Sequence, residues 1–423
     1  MSFLGLLRHP RFSRLLAIRW TGQGVDGIFQ SALASFVLFS PERQANALNA
    51  ALGFAVVLLP YSIVGPFVGT ILDRVSRQRA LFIANMARSA NLLLVALFIF
   101  SGTTGVELTT VVLVAFGINR LILAALSAGL PLLIDSNSLI TANAMAVTGG
   151  SVLVVIGGGI GVGVRAVIDS LAIANHADAL LILIAAGGYL IAALLTTRLN
   201  KYEIGPLQHE IKQASFTQGI TEMREGFHFL RIHGDAARGI LATAVHRGGL
   251  TALTLTALLL ERNTFNDPAM PEQGLKNFGF ALSFAGLGVF IGAFLAPYGV
   301  SKFGRHQWMR LAILTSSACP VILAVSQTQI TLIFTAFLVS FFGQNLKVTN
   351  DALVQSKIDD YYRGRVFAVY DVLVNAAIVS GGLIAALLLP QSGLGSTVPL
   401  CVSAAYLLVG VRLLRSSVFP PVK

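Results

Sequence analysis

The chain is short of charge. Of its 423 residues only 12% are Asp, Glu, Lys or Arg, against about 25% in a soluble domain. It is shortest of acid, with 19 Asp and Glu facing 30 Lys and Arg, a formal net charge of +11. It has two cysteines, Cys319 and Cys401, which give neither a disulfide framework nor a metal-ligand spacing. There is no P-loop, so ATP hydrolysis on this chain is excluded as its energy source. No His/Cys/carboxylate cluster has metal-site spacing, and no nucleophile–base motif stands out. These absences argue against an enzyme and imply neither a cofactor nor a metal.

What is abundant is apolar side chain. Hydrophobic residues make up 55% of the chain and the mean hydropathy is +0.76. So apolar a chain has no way to cover itself from water, and lipid must be its main solvent. Residues 47–72 contain no charge at all, enough for a helix to cross a hydrocarbon core of about 30 Å at a rise of about 1.5 Å per residue. The runs are too long for barrel strands and do not alternate polar with apolar, so helices are expected. Twelve spans are placed at 17–39, 47–72, 79–101, 108–130, 144–167, 178–197, 240–260, 277–300, 308–326, 330–350, 366–389 and 397–414. The chain is read as an all-α membrane protein. Glycines crowd the fifth and eleventh spans (Gly157, Gly158, Gly159, Gly161, Gly163; Gly381, Gly382), as close packing of membrane helices through small residues requires.

The basic surplus invites a nucleic-acid reading, and its distribution removes it. With both termini placed in the cytoplasm, the external loops keep only Arg43, Arg165, Arg262 and Lys276. Four more, Arg88, Arg120, Arg247 and Lys347, lie inside spans, and the rest are cytoplasmic. That asymmetry is the positive-inside rule. The basic residues therefore face anionic lipid of the inner leaflet of a bacterial-type inner membrane, and nucleic acid is not a partner. The first residues, with Arg8, Arg11 and Arg14 among Leu and Phe, read as a short interfacial helix before an uncleaved first span. Between the sixth and seventh spans, residues 199–238 hold many charges, with Phe216, Ile220, Phe227 and Leu230 at roughly helical spacing. A linker followed by an amphipathic helix on the cytoplasmic face is expected there.

A charged turn joins the second and third spans. It contains Gly69, Asp73, Arg74, Ser76, Arg77, Gln78, Arg79 and Leu81. This stretch resembles the signature loop of the major facilitator superfamily, G-x-L-x-D-R-x-G-R-R-x-x-L, with Ser76 in place of the second glycine and Gln78 in place of one basic residue. The resemblance implies a fold of two pseudo-symmetric six-helix bundles and alternating access to a central site. It also implies a cytoplasmic gating role for Gly69, Asp73, Arg74, Arg77, Arg79 and Arg365, with Asp73 latching at the start of the eleventh span. Tyr362 to Asp371 and the pair Asp26–Gly27 also resemble one branch of that superfamily, which includes the enterobactin exporter and related bacterial effluxers. That likeness implies export.

The halves repeat. Residues 69–81 align with Pro297 to Arg305 at a spacing of 228, where Ser301 stands in place of Asp73. A second alignment, of the segments beginning at Pro131 and Leu353, has a spacing of 222. The organisation expected is an N-terminal half at 1–198, the linker with its helix at 199–238 and a C-terminal half at 239–423. Secondary transporters built this way bind substrate near the bilayer midplane, between the repeats.

Charge inside the membrane is costly, about 2.5–3.5 kcal/mol per group on insertion scales, so each such group needs a partner or a wet cavity. Asp26 and Arg247 are 221 residues apart and Arg120 and Lys347 are 227 apart, close to the repeat spacings. The four are thus placed at equivalent positions on spans 1, 7, 4 and 10. Gln23, Asp26 and Gln30 share one helix face, and Asn375 follows Asp371 by one turn. The substrate or proton cavity is read as Gln23, Asp26, Gln30, Arg120, Arg247, Asn345, Lys347, Asp371 and Asn375. Its surplus of base suits an anionic or zwitterionic compound, and Asp26 is expected to pair with Arg247. The alternative is that these groups form structural salt bridges; for Arg88, one turn past the signature loop, a place in that loop's charge network is expected. The chain is read as a monomeric secondary transporter whose partners are membrane lipid, a small-molecule substrate and protons, most simply by proton antiport. A lipid transporter of the same fold and a receptor that does not transport are the other readings.

Overall fold

The computed structural model describes residues 3–38, 72, 75–103, 105–168, 174–205, 216–267, 270–357 and 360–413. The described residues contain no strand. In chain order the helices are α1 (Phe3–Leu7), α2 (Pro10–Leu38), α3 (Arg77–Phe100), α4 (Val106–Gly129), α5 (Ser136–Ile168), α6 (Ala174–Thr196) and α7 (Phe216–Ile232). They continue with α8 (Gly234–Asn263), α9 (Pro271–Phe303), α10 (Arg305–Val325), α11 (Gln329–Lys357), α12 (Asp360–Leu388) and α13 (Thr397–Leu408). Every expected span except 47–72, of which only residue 72 is described, is helical over its described residues.

Eight described helices are long and apolar enough to cross a membrane on length and composition alone. Their outer faces carry large exposed apolar side chains such as Leu93, Leu97, Val155, Phe294 and Leu387. Water would not tolerate such a surface, whereas lipid requires it. Helices α2 and α8 are more polar. Most residues of α8 are buried against its neighbours, which keeps its polar groups out of lipid.

The described residues up to Ile220 form one compact unit and those from Thr221 onward a second. Within the first, α2 packs on α5 and α6, and α3 packs on α4 and α6. The α2–α5 crossing is backbone on backbone. A Cβ on Gly157 would strike the carbonyl of Gly24, and one on Gly27 would strike the carbonyl of Val154. The glycines of span 5 thus do what close packing asks, though Gly159 and Gly163 have open space around them.

The second unit repeats the device. There α8 crosses α12 at Gly248 and Gly381, and a Cβ on Gly381 would strike the carbonyl of Gly248. Gly27 and Gly248 are 221 residues apart. Helices α3 and α10 likewise begin at Arg77 and Arg305, 228 apart. The residue before each start differs. Gly304 has φ +76°, a left-handed conformation that suits glycine, whereas Ser76 has φ −52°, open to any residue. That is why serine is accepted where the signature has its second glycine.

Helix α7 forms where an amphipathic helix is expected, but its buried face is rotated. Leu230 packs with Ile240, Val354, Val366, Val369 and Tyr370, and Met223 joins them. Phe227, expected on that face, is 53% exposed. The face is set by Gly226, where a Cβ would lie 2.6 Å from the carbonyl oxygen of Arg365. Met223, Gly226 and Leu230 fall on one stripe at i, i+3, i+7.

Candidate functional site: a charged cavity on α8, α11 and α12

Each unit has a buried polar hub, and the two are built on the same plan. In the first, Asp26 of α2 accepts four hydrogen bonds. Arg88 and Tyr189 Oη donate to Oδ1, the latter at 3.2 Å; Gln30 Nε2 (2.9 Å) and Asn119 Nδ2 (3.2 Å) donate to Oδ2. The ion pair Asp26–Arg88 is fully buried. The guanidinium also donates to the carbonyl of Ala115 and lies 4.7 Å from the Tyr189 ring centroid. One carboxylate therefore ties α2 to α3, α4 and α6.

In the second unit His246 of α8 stands at the centre. Its Nε2 is 3.2 Å from Ser316 Oγ, its ring stacks on Tyr406 at 4.6 Å, and Tyr406 Oη donates to the His246 carbonyl at 2.7 Å. Tyr189 and Tyr406 are 217 residues apart and Arg88 and Ser316 are 228 apart. The hub is conserved in plan between halves and emptied of charge in the second.

The charge of the second unit faces a cavity instead. A cavity of about 100 Å³ is lined by Thr243 and Arg247 of α8, Lys347 and Asp351 of α11, and Phe367, Tyr370, Asp371 and Val374 of α12. Arg247 Nη2 donates to Gln344 Oε1 at 3.3 Å, and Lys347 Nζ lies 2.5 Å from Asp351 Oδ2. Lys347 and Asp351 keep 39% and 23% side-chain exposure, so the pair is wet. Tyr370 Oη is buried within hydrogen-bonding reach of Asn350, Thr243 and Asp351. Two cations, two carboxylates and a phenol can bind a polar organic group, but the constellation has no nucleophile held by a base.

The sequence expectations divide accordingly. Arg247, Lys347 and Asp371 share the cavity. Asn345 does not line it: it is fully buried, bonds the Phe341 carbonyl of its own helix and faces Gly292 of α9. Asn375 is half-buried and is not among the lining residues. The expected Asp26–Arg247 pair gives way to Asp26–Arg88 and Arg247–Gln344. Arg88 correspondingly leaves the signature loop's network for that of Asp26. Gln23 accepts from Arg19 Nε at 3.2 Å, Gln30 serves Asp26, and Arg120 is half-buried on α4 beside Asn119. The repeat offset pairs Asp26 with Arg247 by number, whereas the residue at the centre of the second hub is its neighbour His246; an offset gives no information on which way a side chain turns from its helix. Tyr370 has no place in the cavity expected from sequence; Asp351, a candidate charge of the tenth span beside Lys347, is not in that cavity list either, though it sits one turn after Lys347, the spacing of an i, i+4 ion pair.

Of the gating residues, Gly69, Asp73 and Arg74 lie outside the described residues. Arg77 caps the first unit's own chain. Its Nη1 donates to the carbonyls of Ala128 (3.0 Å) and Ile204 (3.2 Å), and its amide donates to Gly205 at 2.9 Å. Gln78 reaches the carbonyl of Thr196 at 3.1 Å, and Arg14 that of Arg198 at 3.2 Å. Arg11 pairs with Glu203 at 3.4 Å. The basic residues of two segments thus pin residues 196–205. Arg79 is exposed, and Arg365 pairs with Glu225 of α7 at 2.5 Å. No cluster of His, Cys, Asp or Glu able to hold a metal is found among the described residues.

Comparison with known proteins points one way. The sequence model of the Major Facilitator Superfamily matches residues 20–382, with a further match at 239–422. An uncharacterized MFS-type transporter of Mycobacterium tuberculosis is 30% identical over 403 residues, covering 94% of this chain and 89% of its own. The counterpart in Mycobacterium bovis matches equally. Among solved structures, the peptide transporter POT superposes with a TM-score of 0.72 at 13% identity, covering 98% of this chain and 95% of that one. The nucleoside transporter NupG does so at 0.68 and 14%, covering 97% and 100%. A D-xylose–proton symporter gives 0.67 at 14%, covering 96% and 97%.

Proposed function

The chain belongs to the major facilitator superfamily, whose members are secondary transporters, and on that premise we propose that it carries a small organic anion or zwitterion, bound at Arg247 and Lys347. The observation that carries this reading is the cavity itself. Two basic side chains of different helices, Arg247 of α8 and Lys347 of α11, line one space together with Asp351, Tyr370 and Asp371. A negative group between Arg247 and Lys347 gains charge-assisted hydrogen bonds.

We further propose export driven by proton antiport, from a monomer in a bacterial-type inner membrane with both termini in the cytoplasm. The direction rests on the branch likeness of residues 362–371 and the orientation on the distribution of Lys and Arg. Asp371, exposed within the cavity, is the carboxylate placed to exchange protons with the aqueous phase. Asp26 is assigned the structural task, because its four donors leave it no free lone pair to spend on substrate. The loop at 69–81 gates the cycle through Asp73.

Inside-out vesicles carrying the protein test the coupling. An imposed pH gradient, acid inside, should drive organic-anion accumulation that a protonophore collapses. Accumulation indifferent to the protonophore sinks the antiport. Asp73→Asn should slow turnover without loss of inserted protein, and wild-type turnover in that variant would remove the gate.

A further inference from the structure

The charged cavity does not stand alone on its helices. One turn beyond Arg247 on α8 begins an apolar crevice lined by Leu250, Thr254, Ala257, Ala285, Ala336 and Ser340, among others of α8, α9, α10 and α11. Arg247, Leu250 and Thr254 stand at i, i+3, i+7, and Lys347 and Ser340 are seven apart, so both helices carry the two sites along neighbouring faces. As the numbering of α8 rises from Arg247 to Ala257, that of α11 falls from Lys347 to Ala336. The polar site and the apolar site are thus stacked along one α8–α11 seam, with Arg247–Gln344 at the join. From Arg247 to Thr254 the helix advances roughly 10 Å.

Resting on the anion-site reading, we propose that the substrate is an organic anion with a short apolar substituent, its charge at Arg247 and Lys347 and its apolar end in the crevice between α8 and α11. The size of the crevice decides what that end is. Its volume is about 40 Å³, on a scale where one water needs about 10–15 Å³. That holds roughly three or four non-hydrogen atoms. A full acyl chain does not fit, so the lipid-transporting reading is disfavoured by the same geometry that favours an apolar tail. Around the crevice the side chains are aliphatic and aromatic apart from three hydroxyls. Thr254 Oγ1 already donates to the Leu250 carbonyl of its own helix, so the tail meets little polar competition.

The test uses the full chain in lipid nanodiscs and a series of straight-chain carboxylates from butanoate to dodecanoate, with the matching alcohols as uncharged probes and empty nanodiscs subtracted. Carboxylate affinity should rise about fourfold per methylene over three or four methylenes and then level off. Ala285→Phe, which fills the crevice, should flatten that rise and leave the shortest binding acid unchanged. Ala336→Leu is a second, milder filling should the first fail to fold. Arg247→Gln should weaken every acid at least tenfold and spare the alcohols. A rise that continues to dodecanoate in step with lipid partitioning, or one that both filled variants retain, overturns the tail site. Acids that bind with Arg247 dependence but no length dependence overturn the tail and keep the anion site. Acids whose binding ignores Arg247 overturn both.

Discussion

Arg88 of α3 and Asp26 of α2 form a buried ion pair, with the same guanidinium held over the ring of Tyr189 and bonded to the carbonyl of Ala115. The pair converts two expensive charges into the hub of a four-helix contact. Its value lies in the saturation of the carboxylate, since Gln30, Asn119 and Tyr189 take up the lone pairs of Asp26 that Arg88 leaves. A half-satisfied version would cost more than an apolar one.

Asp26→Ala should therefore destabilise the protein by about 3–5 kcal/mol by stranding a buried guanidinium. Replacing both partners, Asp26→Leu with Arg88→Met, should recover most of that loss. Thermal unfolding in detergent, followed by the retained monodisperse fraction, compares the two. A single variant as stable as wild type would contradict the hub.

The glycine-rich helix α5 should show sharp positional contrast. Gly157→Ala puts a methyl into the carbonyl of Gly24, whereas Gly159→Ala meets nothing within 4 Å. Overpacking of this kind costs about 1–3 kcal/mol, so the first variant should lose stability and the second should not. Equal melting temperatures would mean that the α2–α5 crossing is looser than described.

Glu261, at the end of α8, is fully buried and accepts from Asn266 (2.9 Å) and Gln329 (3.2 Å). Glu261→Ala removes the acceptor of Gln329, while Asn266 keeps its bond to the Glu261 carbonyl at 2.8 Å, so the loss should be about 1–3 kcal/mol. Glu261→Gln keeps the shape and an acceptor oxygen and should cost less. The order of melting temperatures, wild type, then Gln, then Ala, is the check.

Surface charge should matter little by comparison. Arg365 and Glu225 pair on an exposed face, with Glu225 45% accessible. Glu225→Gln should change stability by less than about 1 kcal/mol, and high salt should abolish the difference. Gly226→Leu, one residue along, should detach α7, because Gly226 is where that helix meets the backbone of Arg365. Protease sensitivity between α7 and α8 separates the two outcomes.

Much of the fold was legible because lipid imposes a coarse rule: long runs without charge must be helices. The repeat spacings recur among the described residues, 221 between the helix crossings at Gly27 and Gly248 and 228 between the helix starts at Arg77 and Arg305. What sequence did not yield was azimuth. Asp26 and Arg247 are equivalent in number, yet one turns into a hub and the other into a cavity, because spacing along the chain says nothing of which neighbour a side chain will find. Phe227 was misplaced for the same reason, its helix being rotated by the close approach at Gly226. Asn345 looked like a cavity residue by its company, Gln344 and Lys347, but points to α9, where Gly292 makes room.

The most direct test of the anion site compares the small molecules retained by cells producing the wild-type protein with those retained by cells producing equal amounts of the Arg247→Gln, Lys347→Gln double variant. The account predicts that wild type alone depletes a set of organic anions bearing a short apolar group, and that the double variant restores them to the level of cells lacking the protein. An identical depletion profile in wild type and double variant would contradict it.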